Sequence, residues 1–112
     1  EAELFKGLDL RIFNGHTPGM LVPIIATKNR KIAYVNDMIP TIANIPPKWI
    51  SAYDSYPVTA MEEKNQFLRE AAENNYLLYF EHDVNDECAT VSWDEIKGPK
   101  LEKSGSLSDF LE

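Results

Sequence analysis

Apolar residues along this chain gather in short runs divided by turn-forming residues, and the runs fall into two periods. Leu8 to Phe13, Lys31 to Val35 and Tyr76 to Phe80 read as strands. The last of these, Tyr76-Leu77-Leu78-Tyr79-Phe80, has no polar alternation, as expected of a strand covered on both faces. A further strand is expected to open at Cys88 and run through Ala89, Thr90, Val91, Ser92 and Trp93. Thr59-Ala60-Met61-Glu62 has capping-box spacing, which predicts a helix starting there with Thr59 as N-cap. Its inner face would use Ala60, the stem of Lys64, Phe67, Leu68, Ala71 and Ala72, and Asn74 and Asn75 would end it before the buried strand. Between the second and third strands, Pro40 to Trp49 is rich in proline and apolar residues. Ile39, Ile42, Ile45, Trp49 and Ile50 suggest a loop and short helical turn packed over the sheet. Gly98 to Glu112 carries no motif, and no internal repeat or low-complexity segment interrupts this order.

Charge changes the picture by exclusion. A net charge of −7 argues against a phosphate-backbone partner, because non-specific nucleic-acid binding depends on clustered Lys and Arg. The one dense basic group, Lys28, Arg30 and Lys31, reads as a solvated turn between two strands. The single cysteine, Cys88, rules out an internal disulfide, and with no basic partner nearby in sequence it reads as a packing residue. No apolar run reaches membrane-spanning length, and a cytoplasmic protein is expected. At 112 residues and 44% hydrophobic the chain can bury a core, although domains of this size are only marginally stable.

The candidate chemistry lies just past the strand ends. The first strand runs into His16, the second into Asp37 and the third into His82, and His16 and His82 are the only histidines in the chain. Two imidazoles and a carboxylate suit zinc, iron or manganese. Taken one at a time, a His or Asp beside a strand end is usually a turn residue or a hydrogen-bonded surface group. Context favours the ligand reading. His16 sits in Asn14-Gly15-His16-Thr17-Pro18-Gly19-Met20, where two glycines and a proline force a tight, non-repetitive backbone. Asp37 is flanked by apolar residues, which implies partial burial, and a buried carboxylate needs a cation or several hydrogen bonds. Asp83, Asp86 and Glu87 lack the regular oxygen spacing and central glycine of a calcium loop, so Asp86 and Glu87 read as an ordinary turn.

Gly-His-Thr-Pro-Gly, an apolar strand ending in Asp, a capped helix and an apolar strand ending in Glu-His-Asp resemble, in order and spacing over about residues 1 to 97, the C-terminal half of a metallo-β-lactamase-fold metal-dependent hydrolase. The resemblance implies an α/β (α+β) fold: half of an αββα sandwich, with a mainly antiparallel or mixed sheet and one main flanking helix. It implies that His16 ligates one metal, Asp37 bridges two and His82 completes the second site. The ions would be zinc, with iron or manganese as alternatives. It further implies hydrolysis of an ester, lactone, lactam or thioester by a metal-bound hydroxide, and makes Tyr53 a candidate hydrogen-bond donor to a substrate carbonyl. For Tyr53, packing is the competing role. The family's His-x-His-x-Asp-His motif is missing, and the 44 residues between Asp37 and His82 leave no room for the large insertion of nucleic-acid-processing relatives.

The expectation is therefore an incomplete catalytic domain, inactive alone, whose partners are the N-terminal half of the same domain, a small-molecule substrate and further copies in a homo-oligomer. Leu21, Val22, Pro23, Ile24, Ile25 and the Tyr76 to Phe80 run would form the surface needing that half. The competing reading is a non-catalytic assembly module derived from the same fold.

Overall fold

The computed structural model describes residues 2–15, 19–28, 30–39, 41, 44–45, 57–81, 83 and 85–110, without the side chains of 2–5, 37 and 57. Among these described residues, seven strands form one mixed sheet in sequence order: β1 (Ala2–Phe5), β2 (Leu8–Phe13), β3 (Met20–Ala26), β4 (Lys31–Tyr34), β5 (Leu77–Tyr79), β6 (Cys88–Asp94) and β7 (Gly98–Gly105). Every neighbouring pair is antiparallel except β4 and β5, which are parallel. A parallel pair needs a crossover, and the long helix α1 (Pro57–Asn74) supplies it. A short helix, α2 (Leu107–Phe110), follows β7.

Helix α1 begins two residues before the expected Thr59. Proline is favoured at the first helical position, where its missing N–H costs nothing and its φ is already helical, so Pro57 starts the helix and Thr59 falls inside the first turn. The end is where the sequence puts it. Asn75 adopts a left-handed φ of 56° and the Tyr76 N–H donates back to the Ala71 carbonyl at 2.9 Å, a closing bond that caps the last turn.

Alternation decides which side chains α1 covers. Along β3, Val22 and Ile24 point under the helix and join Ala33, Leu78, Ala89 and Val91 in one core with Phe67, Leu68 and Ala71. Phe13 meets Phe67 edge-on, with ring centroids 5.7 Å apart. Lys64 lies on the same stripe, and its whole side chain, not only the stem, is buried. The opposite face of the sheet is also apolar. Leu8 pairs with Ile25, Leu10 with Pro23 and Ile12 with Leu21, and Ile25 continues through Ile32 to Leu77. Tyr34 and Tyr79 stack at 5.6 Å on this side.

The expected partner-facing surface is thus corrected in part. Val22, Ile24, Tyr76, Leu77, Leu78 and Phe80 are buried by this chain itself, whereas Leu21 and Ile25 are each 44% exposed. The exposed apolar residues belong to one parity of the strands, because successive side chains leave opposite faces. β1, β3 and β7 were not among the strands expected from the sequence; β7 pairs along its length with β6. Among the described residues, no helix is long and apolar enough to cross a membrane.

Candidate metal centre

Strand direction fixes which chain ends meet. β2 and β4 are each antiparallel to β3 and therefore run the same way, and β5 is parallel to β4. The C-terminal ends of β2, β4 and β5 consequently share one edge of the sheet. The N-terminal turn of α1 reaches the same edge, where the backbone at Gly15 packs against Ala60.

After β2, the chain is fastened to α1. The Glu63 carboxylate accepts the Asn14 N–H at 3.0 and 2.9 Å through its two oxygens, and the Gly15 N–H at 2.8 Å. The Asn14 side-chain oxygen accepts the Gly19 N–H at 2.8 Å, closing the loop across residues 15–18. After β4, the Val35 N–H donates to the Tyr79 carbonyl at 3.2 Å, prolonging the parallel pairing. A 3-10 turn, Asn36–Met38, follows, with Val35, Met38 and Ile39 buried and the Asn36 side-chain amide donating to the Leu21 carbonyl at 3.3 Å. Lys64 holds the next stretch, donating from Nζ to the Asn44 carbonyl at 2.8 Å, a bond that helps offset the cost of burying an ammonium. After β5, the Phe80 N–H donates to the Glu87 carbonyl at 2.7 Å, and the Tyr34 hydroxyl donates to Glu81 at 3.0 Å. Asp83 then accepts the N–H groups of Asn85 and Asp86, an ordinary Asx turn.

His16, His82 and Tyr53 lie outside the described residues, as does the side chain of Asp37, whose backbone forms the middle of the 3-10 turn. Among the described residues, no group of three or more His, Cys, Asp or Glu side chains could hold a metal. Sequence reasoning missed Glu63 and the full burial of Lys64. Their partners are 49 and 20 residues away, and no local pattern signals such distant pairs.

A second cluster of titratable groups ties α1 to β2 and to the residue before β5. Arg11 forks onto Glu70, with Nη1 3.1 Å from one carboxylate oxygen and Nη2 on the other, which also accepts the Tyr76 hydroxyl at 2.8 Å. Burial alone would raise the Glu70 pKa, but the Arg11 and Tyr76 hydrogen bonds outweigh it and hold the carboxyl below its usual range. Tyr76 is pushed up to about 12, first by burial and then by the Glu70 carboxylate. Cys88 is fully buried, and that burial, with the neighbouring Glu87 charge, raises its thiol to about 12. It remains protonated at neutral pH, which excludes a thiolate nucleophile.

Solved structures supply the comparison. A probable metal-dependent hydrolase from Staphylococcus aureus superposes with a TM-score of 0.80 and 26% identity, over 93% of this chain and 36% of that one. AidC, a dizinc quorum-quenching lactonase in complex with the product N-hexanoyl-L-homoserine, gives 0.77 and 23%, over 91% and 35%. The hydrolase AbOPH of the β-lactamase superfamily gives 0.73 and 20%, over 87% and 34%. The chain has the metallo-β-lactamase fold. It spans about a third of the length of the structures it matches, a share consistent with a C-terminal portion of that fold. No family model matches the sequence, and no curated protein does. Within the metallo-β-lactamase fold, the observed mixed sheet and single main helix make an α+β half-domain.

Proposed function

We propose that this chain is the C-terminal half of a metal-dependent hydrolase domain that cuts an ester, lactone, lactam or thioester in the cytoplasm. In this reading His16 holds one zinc ion, Asp37 bridges two and His82 holds the second; Tyr53 donates a hydrogen bond to the substrate carbonyl. The observation that supports it is the common direction of β2, β4 and β5: their C-terminal ends, followed in the sequence by His16, Asp37 and His82 respectively, share one edge of the sheet. The donor set supports zinc: imidazole nitrogen and carboxylate oxygen are its ordinary protein ligands. When bound, the metal supplies an acidified water and a Lewis acid toward the scissile carbonyl. Each imidazole must stay neutral to ligate, with its second nitrogen hydrogen-bonded to fix the ring.

Two partners complete the reading. The exposed apolar face around Ile12, Leu21 and Ile25 is what an N-terminal half would cover, and the match to only a third of the related structures supports that partner. In the chain without that half, a second copy would cover the same face instead, giving a homo-oligomer.

The test is metal analysis together with ester, lactone and thioester assays on three samples: the 112-residue chain, the chain joined to an N-terminal half, and that joined protein carrying Asp37→Ala. The joined protein should bind metal and hydrolyse, while Asp37→Ala should lose both together. Unchanged metal content in Asp37→Ala would remove the bridging role, and full occupancy with turnover by the 112-residue chain alone would remove the half-domain reading.

A further inference from the structure

The loop after β2 is held more firmly than a surface turn requires. Glu63 directs both carboxylate oxygens at two successive backbone N–H groups, Asn14 and Gly15, and spends none of that capacity on its own helix. Charge-assisted bonds from backbone amides to a carboxylate are among the strong class, and two in a row fix the orientation of a peptide plane as well as its position. Asn14 in turn accepts the Gly19 N–H, so the two ends of the segment 14–19 are held together while its first two residues are held against α1. Gly15 also sits close against Ala60, one helical turn before Glu63, where a Cβ would have no room.

We infer that Glu63 is a positioning residue whose carboxylate clamps the Asn14–Gly15 backbone and so fixes in advance the point of the chain from which His16, the next residue, would ligate a metal. The inference rests on the proposed role of His16 as a ligand. Glu63 itself need touch neither metal nor substrate: its carboxylate is already engaged with two amides. A ligand presented by a loop of glycines carries conformational freedom that must be lost on binding, and a clamp formed in advance lowers that cost.

The experiment uses the full protein carrying Glu63→Ala, Glu63→Gln, His16→Ala and the Glu63→Ala/His16→Ala pair. Alanine is the best helix former, so Glu63→Ala leaves α1 intact. Amide hydrogen exchange on the metal-free protein should show faster exchange at Asn14 and Gly15 in Glu63→Ala, with β6 amides unchanged. Zinc affinity, measured by chelator competition, should weaken on the order of tenfold in Glu63→Ala, the range typical of groups that orient a metal ligand. It should fall less in Glu63→Gln, which keeps one acceptor oxygen. In the His16→Ala background the Glu63 substitution should have no further effect on zinc, since the two act through one ligand.

Unchanged exchange at Asn14 and Gly15 overturns the clamp itself. An equal, additive loss of zinc affinity in both backgrounds overturns positioning through His16. A His16→Ala variant that binds zinc as tightly as the parent overturns the ligand assignment, whatever the exchange data show.

Discussion

Gly15 is the position where one added carbon should do the most damage. A Cβ there would lie 2.6 Å from the Ala60 Cβ and closer still to the Ala60 N and Cα, against 3.4 Å for an ordinary contact. Two of those three atoms are helix backbone, so no side chain can rotate aside. The loop has to retreat by about 1 Å, and because Gly15 N–H is bonded to Glu63 at 2.8 Å, that retreat breaks or stretches the clamp. Overpacking of this kind costs about 1–3 kcal/mol. Loss of one charge-assisted hydrogen bond would add about 1.5–3 kcal/mol where it is not replaced by water.

Gly19 is the internal control. It has open space around its Cα but a left-handed φ of 78°, so Gly19→Ala costs only the conformational penalty, about 1–2 kcal/mol, and Gly19→Asn should recover part of it. Gly15→Asn should recover nothing. Urea unfolding of the four variants followed by tryptophan fluorescence measures this, and in a hydrolytically active protein Gly15→Ala should cost on the order of 100-fold in rate, the penalty expected of an ångström-scale misplacement. A Gly15→Ala variant within about 0.5 kcal/mol of the parent, as for an ordinary surface substitution, would refute the close-packing argument.

Two further outcomes are expected. Leu68→Ala should destabilise by about 2–5 kcal/mol, because Leu68 is fully buried between α1 and the sheet, whereas exposed Val58→Ala should change urea stability by no more than about 0.5 kcal/mol; comparable values for the two would displace the core from this helix face. Stability should also fall at alkaline pH. Cys88 and Tyr76 both have folded pKa values raised to about 12, from 9.0 and 10.0, so their contribution is complete below about pH 9 and is lost as pH rises toward 12, where the unfolded chain ionises first. Urea midpoints at pH 8 and pH 10.5 test the sign, and a flat or rising midpoint would contradict it.

Periodicity located β2, β4, β5, β6 and α1 but gave no bounds for β1, β3, β7 or α2. β2 has the expected bounds, β4 and β5 differ from expectation only at their ends, and α1 buries Ala60, Lys64, Phe67, Leu68 and Ala71 on one stripe, because a 3.6-residue repeat can satisfy only one core-facing side. β7 was illegible for a physical reason. It is an edge strand whose Lys100, Glu102 and Lys103 guard its open side, so its hydrogen bonds to β6 leave no apolar pattern to read. The order of strand ends and their motifs was likewise visible in the chain, but not that β5 runs in the direction of β4; that depends on a parallel pairing between residues 45 positions apart, such as Ile32 and Leu77. The same distance hid Glu63. Its place in the sequence marks it as one more polar residue of a helix, and only the packing of α1 over β2 brings its carboxylate to the amides of Asn14 and Gly15.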